Sequence, residues 1–371
     1  MLSVDGLLSS VVLLRRSHLV LTFILHFYVQ SIPPTDLVSI PRSITLPLLR
    51  ISKELDIPPI LTYSDTVLYN WALKSKFESK DVIPELNNIR TPTTFTRSVD
   101  EEEFLLCSAR IELRAVEILE MMRVTMDEIF LGDDTAVRRV TEHLNVITSA
   151  LSELKALLLD VKKLCDPDVY YNEVRPWYRG EDSSDTKRKW VFEGVDEDPE
   201  LHAPTELSGP SAGQSSIIHA IDIFIGVDHQ AKSPGQPSFM SRMQTYMPKN
   251  HRLFLNHLKT NPRPLRTFVM DKNDEALMIS FNLAVIALKE FRDAHMIIAA
   301  LYILGPARRA AAAKRKLLLE VAAEAGVIHP TTNTPLPARA QPPKGTGGTD
   351  LVRFLKDTRD QTKEAVVIHV D

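Results

Sequence analysis

Cysteine is almost missing from this chain: Cys107 and Cys165 are the only two in 371 residues. So few exclude a disulfide framework and a thiolate metal cluster, and they agree with a reducing compartment, so a cytoplasmic protein is expected. HExxH, paired CxxC and GxSxG are also missing, which removes the commonest zinc and serine-hydrolase signatures. Excess basic charge is absent too. With a net charge of -4 and a pI of about 6.3, nothing draws the whole chain to nucleic acid. The one basic run, Arg308, Arg309, Lys314, Arg315 and Lys316, is followed by Glu320 and Glu324 and reads as a solvated helix face. Gly345, Gly347 and Gly348 do not make a phosphate loop, because no Lys-Ser or Lys-Thr follows and no strand precedes. Internal repeats are not visible, and strand-like alternation is scarce.

Long uninterrupted apolar runs are scarce as well. The opening VDGLLSSVVLLRRSHLVLTFILHFYVQS is split by Arg15 and Arg16, and its second run, His18 to Val29, falls short of the roughly 20 residues a bilayer span needs. No small-residue cleavage site follows it, so a buried helix is expected and no membrane partner. Next, IPPTDLVSIPRSITLPLLRISKELDIPPIL carries prolines that argue against long helices before Pro59.

What is present is helical periodicity. With 44% hydrophobic residues the chain can bury a sizeable core, arranged as a small domain over residues 1–95 and a large one over 96–371. A first helix is predicted from Thr66 to Phe77. Apolar spacing without internal glycine or proline then predicts one helix over Glu101 to Phe130 and another over Thr135 to Cys165. After a loop-rich passage, further helices are predicted at Ser215 to Ile225, Phe239 to Leu258 with a break at Pro248, Asp271 to Leu304, Arg308 to Ala325 and Asp350 to Thr362. The fold class is all-α. Between the last two helices, Val327 to Asp350 is rich in proline and closed by glycines, the composition of a connector.

The helix from Asp271 to Leu304 carries the most information. Asp271 and Asn273 can cap it, Asp274 and Glu275 suit its first turn, and Gly305-Pro306 should stop it. Its apolar stripe, stepped by threes and fours from His295, takes in Ala284, Leu288, Phe291, Ile298, Ala299 and Tyr302, so His295 should face inward. An inward imidazole either finds a hydrogen-bond partner or binds something. Spacing alone favours the satisfied core histidine over a metal or haem ligand. Arg292, one turn earlier, is placed to meet an anion, and Ala299 and Ala300 leave room for a flat body.

Elsewhere, Arg175 lies among Tyr170, Tyr171, Trp177 and Tyr178, where a guanidinium can grip a carboxylate or simply pack on the rings. SAGQSS, Ser211 to Ser216, reads first as a helix cap, with Ser215 or Ser211 as the capping residue. His251 and His257 are six apart, which sets their rings on different helix faces and makes them poor co-ligands.

Five stretches in order, PPILTYSDTVLYNW, SAGQSS, MQTYMPKNHRLFL, FRDAHMIIAALYILGPA and GTGGTDLVRFLKDTR, together resemble indoleamine 2,3-dioxygenase. They resemble its fungal members more than its animal ones, with an atypical N-terminus. The resemblance covers roughly the last 300 residues. It implies a small N-terminal domain over a large helical domain, with haem b between them and a monomeric protein. By that resemblance His295 is the proximal iron ligand and Arg292 approaches a haem propionate. Arg175 holds the substrate carboxylate, Ser108 is the distal serine, and Phe104, Tyr170 and Tyr171 are pocket walls. Tyr63, Thr66 and Val67 come from the small domain, Ser211 and Ala212 from a loop beside the haem edge, and Thr346 from a glycine loop that closes over substrate. Leu105, Tyr170, Tyr171 and Pro210 depart from the usual residues. The implied reaction inserts O2 across the indole C2-C3 bond of L-tryptophan, giving N-formylkynurenine, in the kynurenine pathway and NAD biosynthesis. No side chain serves as acid or base. A non-catalytic haem-binding or signalling relative is the alternative.

Overall fold

The computed structural model describes residues 4–75, 84–183, 188–229, 237–260, 264–324, 345, 346, 348 and 350–367. The chain is all-α, as the periodicity predicts, with four very short strands among the described residues. The expected connector, Val327 to Asp350, lies mostly outside the described residues.

Two helices form the centre. The α5 helix (Asp134–Asp160) starts at Asp133, whose carboxylate accepts from Ala136 N, and buries Val140, Leu144, Ile147, Leu151 and Leu154 along one face. It lies along α11 (Glu275–Ala299), which buries Leu277, Phe281, Ala284, Val285 and Leu288 in the same core. Around this pair pack α3 (Val99–Arg114), α4 (Val116–Leu131), α7 (Ser216–Ile225), α10 (Leu265–Lys272) and α13 (Leu351–Glu364).

Local chemistry explains most element starts. Ser98 and Glu101 make a capping pair at α3: Ser98 Oγ accepts from Glu101 N, and the Glu101 carboxylate reaches back to Phe95 N and Thr96 N. The helix predicted over Glu101 to Phe130 is two helices, because the chain bends at the buried Ala115, and nothing in the structure explains the bend. Asp274, rather than Asp271 or Asn273, caps α11, accepting from Leu277 N. Asn273 sits at φ 48° in the left-handed region that ends α10. Nor do Gly305 and Pro306 stop the chain. A wide turn over Ala300–Leu304 leads directly into α12 (Gly305–Glu324), where Pro306 falls in the first turn and its missing N–H costs nothing.

The prolines before Pro59 also mislead, since α2 (Arg42–Leu55) forms with Pro47 inside it. The apolar opening is a 21-residue helix, α1 (Val11–Ser31), begun by Ser10 accepting from Leu13 N. By length and composition alone it could cross a membrane. It instead buries Leu14, His18, Leu19, Phe23 and Leu25 against the protein and leaves Val12, Val20 and Ile24 outward.

No α-helix forms over residues 66–75, the described part of the helix predicted from Thr66 to Phe77. Asp65 accepts from Thr62 N and Thr62 Oγ1 and pairs with the buried His18 at 2.8 Å, so side-chain bonds hold a single wide turn, Ser64–Leu68. Ala72–Leu73 then runs extended, antiparallel to Ile89–Arg90. The other strand pair is parallel: Val38–Ile40 beside Trp190–Phe192. It carries the N-terminal segment onto residues 188–192 through a second core with Leu25, Val29, Leu48, Ile60 and Tyr246.

The remaining short helices are α6 (Pro167–Val169), α8 (Phe239–Gln244) and α9 (Lys249–Thr260). The last two are separated near Pro248 as predicted.

Candidate functional site

His295 projects from the inward stripe of α11, and Ala284, Leu288, Phe291, Ile298, Ala299 and Tyr302 are all buried as the spacing requires. The imidazole itself meets a cavity of two lobes, about 890 and 710 Å³ with their open mouths. Both lobes are bordered by His295, Tyr63, Ser108, Ala212, Gly213 and Phe354.

Burial, with the nearby Arg292 charge second, lowers the His295 pKa to about 4, and no hydrogen bond contributes. At neutral pH the ring is therefore a neutral imidazole with a free nitrogen lone pair. The bland alternative, a histidine satisfied in the core, does not describe it.

The larger lobe gathers most of the residues singled out in the sequence. Tyr63, Thr66 and Val67 enter from the wide turn after Leu61, Phe104 and Ser108 from one face of α3, and Tyr170 from the turn Tyr170–Val174. Ser211, Ala212 and Thr346 complete it. Phe104 and Tyr170 stack with centroids 4.0 Å apart, forming a flat aromatic wall, and burial pushes the Tyr170 hydroxyl well above its usual range. Ser211 caps the turn Ala212–Gln214 by accepting from Gly213 N, while the Ser215 hydroxyl is spent on Glu112. Ala299 and Ala300 line neither lobe. The room beside His295 comes from Ser108, Ala212 and Gly213 across from it.

Arg175 and Tyr171 stand off this wall. Arg175 is buried, with its guanidinium 5.4 Å from the Tyr171 ring centroid, and its charge reaches the Tyr170 hydroxyl. Arg292 borders the smaller lobe and is buried there. It gives both Asp222 carboxylate oxygens a hydrogen bond at 2.7 Å and donates to Thr362 Oγ1 as well. Any anion at Arg292 would share it with Asp222.

Tyr178, named beside Arg175, also lines the larger lobe, and sequence reasoning passed over Phe239, Leu351, Phe354 and Leu355, which line it too. Three of these belong to α13, whose amphipathic spacing signals only a packed helix. Two hydrogen bonds hold Thr346 at the mouth. Gly209 N donates to Thr346 O at 3.1 Å, and Thr346 Oγ1 donates to Pro210 O at 2.5 Å. Beneath them two strands of chain touch: a Cβ on Gly209 would lie 2.2 Å from Tyr178 O, and one on Gly180 2.2 Å from Leu207 O. Gly209→Ala is therefore expected to pry Thr346 off the mouth and to cost about 1–3 kcal/mol through overpacking, read as a lower urea midpoint.

Two further buried histidines set the acid behaviour. Burial lowers His219 and His26 to about 4, against the backbone hydrogen bonds with Gly213 and Trp177 that favour the charged form. Both stay neutral in the fold while the unfolded chain takes up protons below about pH 6.5. Their stability is thus present above that value and lost as pH falls from about 6.5 to about 4. The urea midpoint should drop between pH 7 and pH 5, and His219→Gln should flatten part of that drop.

Among the described residues no group of three or more His, Cys, Asp or Glu could hold a metal ion. A lone neutral imidazole beside a large cavity suits a metal that arrives with its other ligands already attached, which is how haem iron is bound. The residues present therefore fit a planar macrocycle.

The sequence profile of indoleamine 2,3-dioxygenase matches residues 1–365. The chain belongs to the indoleamine 2,3-dioxygenase family. Human indoleamine 2,3-dioxygenase 2 is 29% identical over 355 residues, covering 95% of this chain and 79% of the relative. Mouse indoleamine 2,3-dioxygenase 1 is 29% identical over 375 residues, 99% and 83% of the two chains. The Saccharomyces cerevisiae indoleamine 2,3-dioxygenase is 30% identical over 372 residues, 96% and 79%. These identities do not separate animal from fungal relatives. Membership makes the chain one of an oxidoreductase family of dioxygenases acting on tryptophan-like indoleamines with O2.

Proposed function

We propose that the chain is a haem-dependent dioxygenase that converts L-tryptophan to N-formylkynurenine in the cytoplasm, in the kynurenine pathway that supplies NAD. The observation that carries this reading is the neutral His295 imidazole, unbonded among the described residues and bordered by both lobes of the cavity. Haem b would be held by His295 and, when bound, would supply the iron chemistry for adding O2 across the indole C2-C3 bond.

The protein's own residues bind, orient and exclude water. The Phe104–Tyr170 pair offers the indole a flat apolar wall, and Tyr63, Thr66 and Val67 close the opposite side. Arg175, off that wall but close enough for its charge to act on Tyr170, would attract the substrate carboxylate, and Arg292, shared with Asp222, would meet a haem propionate. Thr346, tied to Gly209 and Pro210, keeps water out. No acid or base is assigned: burial raises the Glu112 carboxyl and the Tyr170 hydroxyl above their ordinary values.

Haem-loaded, reduced protein given L-tryptophan and air is expected to release N-formylkynurenine, detected by its absorbance and by mass. Arg175→Ala should retain haem and lose mainly affinity for tryptophan, about 2–5 kcal/mol in kcat/KM. A haem-loaded wild-type sample that forms no product would remove the enzymatic reading and leave a haem-binding relative.

A further inference from the structure

The function proposed above leaves one cavity unused. It lies along the next face of α3 and is bordered by α4, α7 and α9, with about 890 Å³ of space including its mouth. Val67, Trp71, Leu113, Ile217, Ala220 and Phe254 give it an apolar wall. Glu112 is the only acid among its described lining residues.

The Glu112 carboxyl is half satisfied. Tyr63 Oη donates to its Oε1 at 2.9 Å and Ser215 Oγ donates to the same oxygen at 2.6 Å. Among the described residues no donor reaches Oε2. Burial raises the Glu112 pKa against the two hydroxyls. The other polar groups on the wall are Ser216, Asn250 and His251. His251 Nδ1 lies 2.7 Å from Ser216 Oγ, and burial, with the Arg15 charge second, holds this ring below its usual range. No Lys or Arg is among the described lining residues to pair with the carboxylate of an amino acid, while one Glu112 carboxyl oxygen has no donor in largely apolar surroundings.

We infer that this cavity is a second small-molecule site, taking a neutral aromatic molecule with a single hydroxyl or N–H. The ring packs among Trp71, Leu113, Ile217 and Phe254, and the polar hydrogen bonds to Glu112 Oε2. This ligand class is distinct from the amino-acid substrate of the His295 cavity. The two sites nevertheless share a network, since Tyr63 borders both His295 lobes and Ser215 the smaller one.

The test uses the full chain loaded with haem and 4-fluorophenol as probe, followed by fluorine NMR. The probe has no indole bond for a dioxygenase to open. Saturable binding is expected, weakened about tenfold or more by Val116→Trp and by Glu112→Leu. Val116 lines the cavity and is 41% exposed, so a larger side chain there fills the mouth without disturbing the core. Ser108→Phe, which fills the His295 cavity instead, should leave the affinity unchanged. Absence of saturable binding overturns the inference. So does full affinity in Val116→Trp, or loss of binding in Ser108→Phe alone.

Discussion

His295→Ala protein, purified and offered haem, is expected to lose nearly all of the Soret absorbance that the wild type retains, a drop of about tenfold or more in bound haem. The reason is geometric. Among the described residues the cavity offers the iron no second imidazole and no thiol, because no other histidine lines either lobe and neither Cys107 nor Cys165 does. Burial also raises the Cys107 thiol to about 12, which keeps it from acting as a thiolate. Since no hydrogen bond contributes at His295, removing the ring leaves no buried polar group orphaned, and the thermal melt should stay close to wild type. Added imidazole, occupying the space of the missing side chain, should restore the band. Equal haem content in wild type and variant would end the proposed role of this residue.

Asp222→Ala should have the largest effect on stability. Asp222 sits on α7, 2% exposed, and its carboxylate takes both Arg292 hydrogen bonds and lies 2.7 Å from His229 Nε2. Removing it leaves a guanidinium, 7% exposed, with only the Thr362 hydroxyl as a remaining partner among the described residues. An uncompensated buried charge of this kind costs about 3–5 kcal/mol. The urea midpoint of Asp222→Ala is the measurement. Asp222→Leu combined with Arg292→Met should recover much of the loss, because it removes both charges and keeps the volume. A single variant as stable as wild type would show that the pair contributes nothing.

The same carboxylate predicts an acid limb. Burial pushes Asp222 upward, but Arg292 and His229 outweigh it and hold the group below its ordinary value. Its contribution is therefore complete above the ordinary carboxylate range, about pH 4, and disappears as pH falls through the lower folded value. This limb lies below the window set by His26 and His219, so the two can be read separately.

Element existence was legible because it depends on spacing and caps. The α5 helix, the split near Pro248 and the inward stripe around His295 all follow from residues three or four apart. Element ends were not. A proline at the second position of α12 breaks nothing, whereas the same residue read alone signals a stop. Similarly, the segment after Tyr63 has helical spacing, yet the His18–Asp65 pair, 47 residues apart, fixes a single turn instead. Long-range partners of this kind leave no local trace.

For the site, the sequence by itself determined which residue types were on hand: one inward histidine, aromatic residues near Arg175, and glycines bordering Thr346. It also determined the all-α class, because helical periodicity is a property of neighbouring residues. Only the tertiary structure decided that His295 has an unbonded ring beside open space, that Arg175 packs on Tyr171 and lines neither lobe, and that Arg292 is shared with Asp222. It also decided that α13 supplies part of the wall. Those facts depend on which faces of distant helices meet, and the packing of α11 against α5 and α13 settles that across more than a hundred residues of chain.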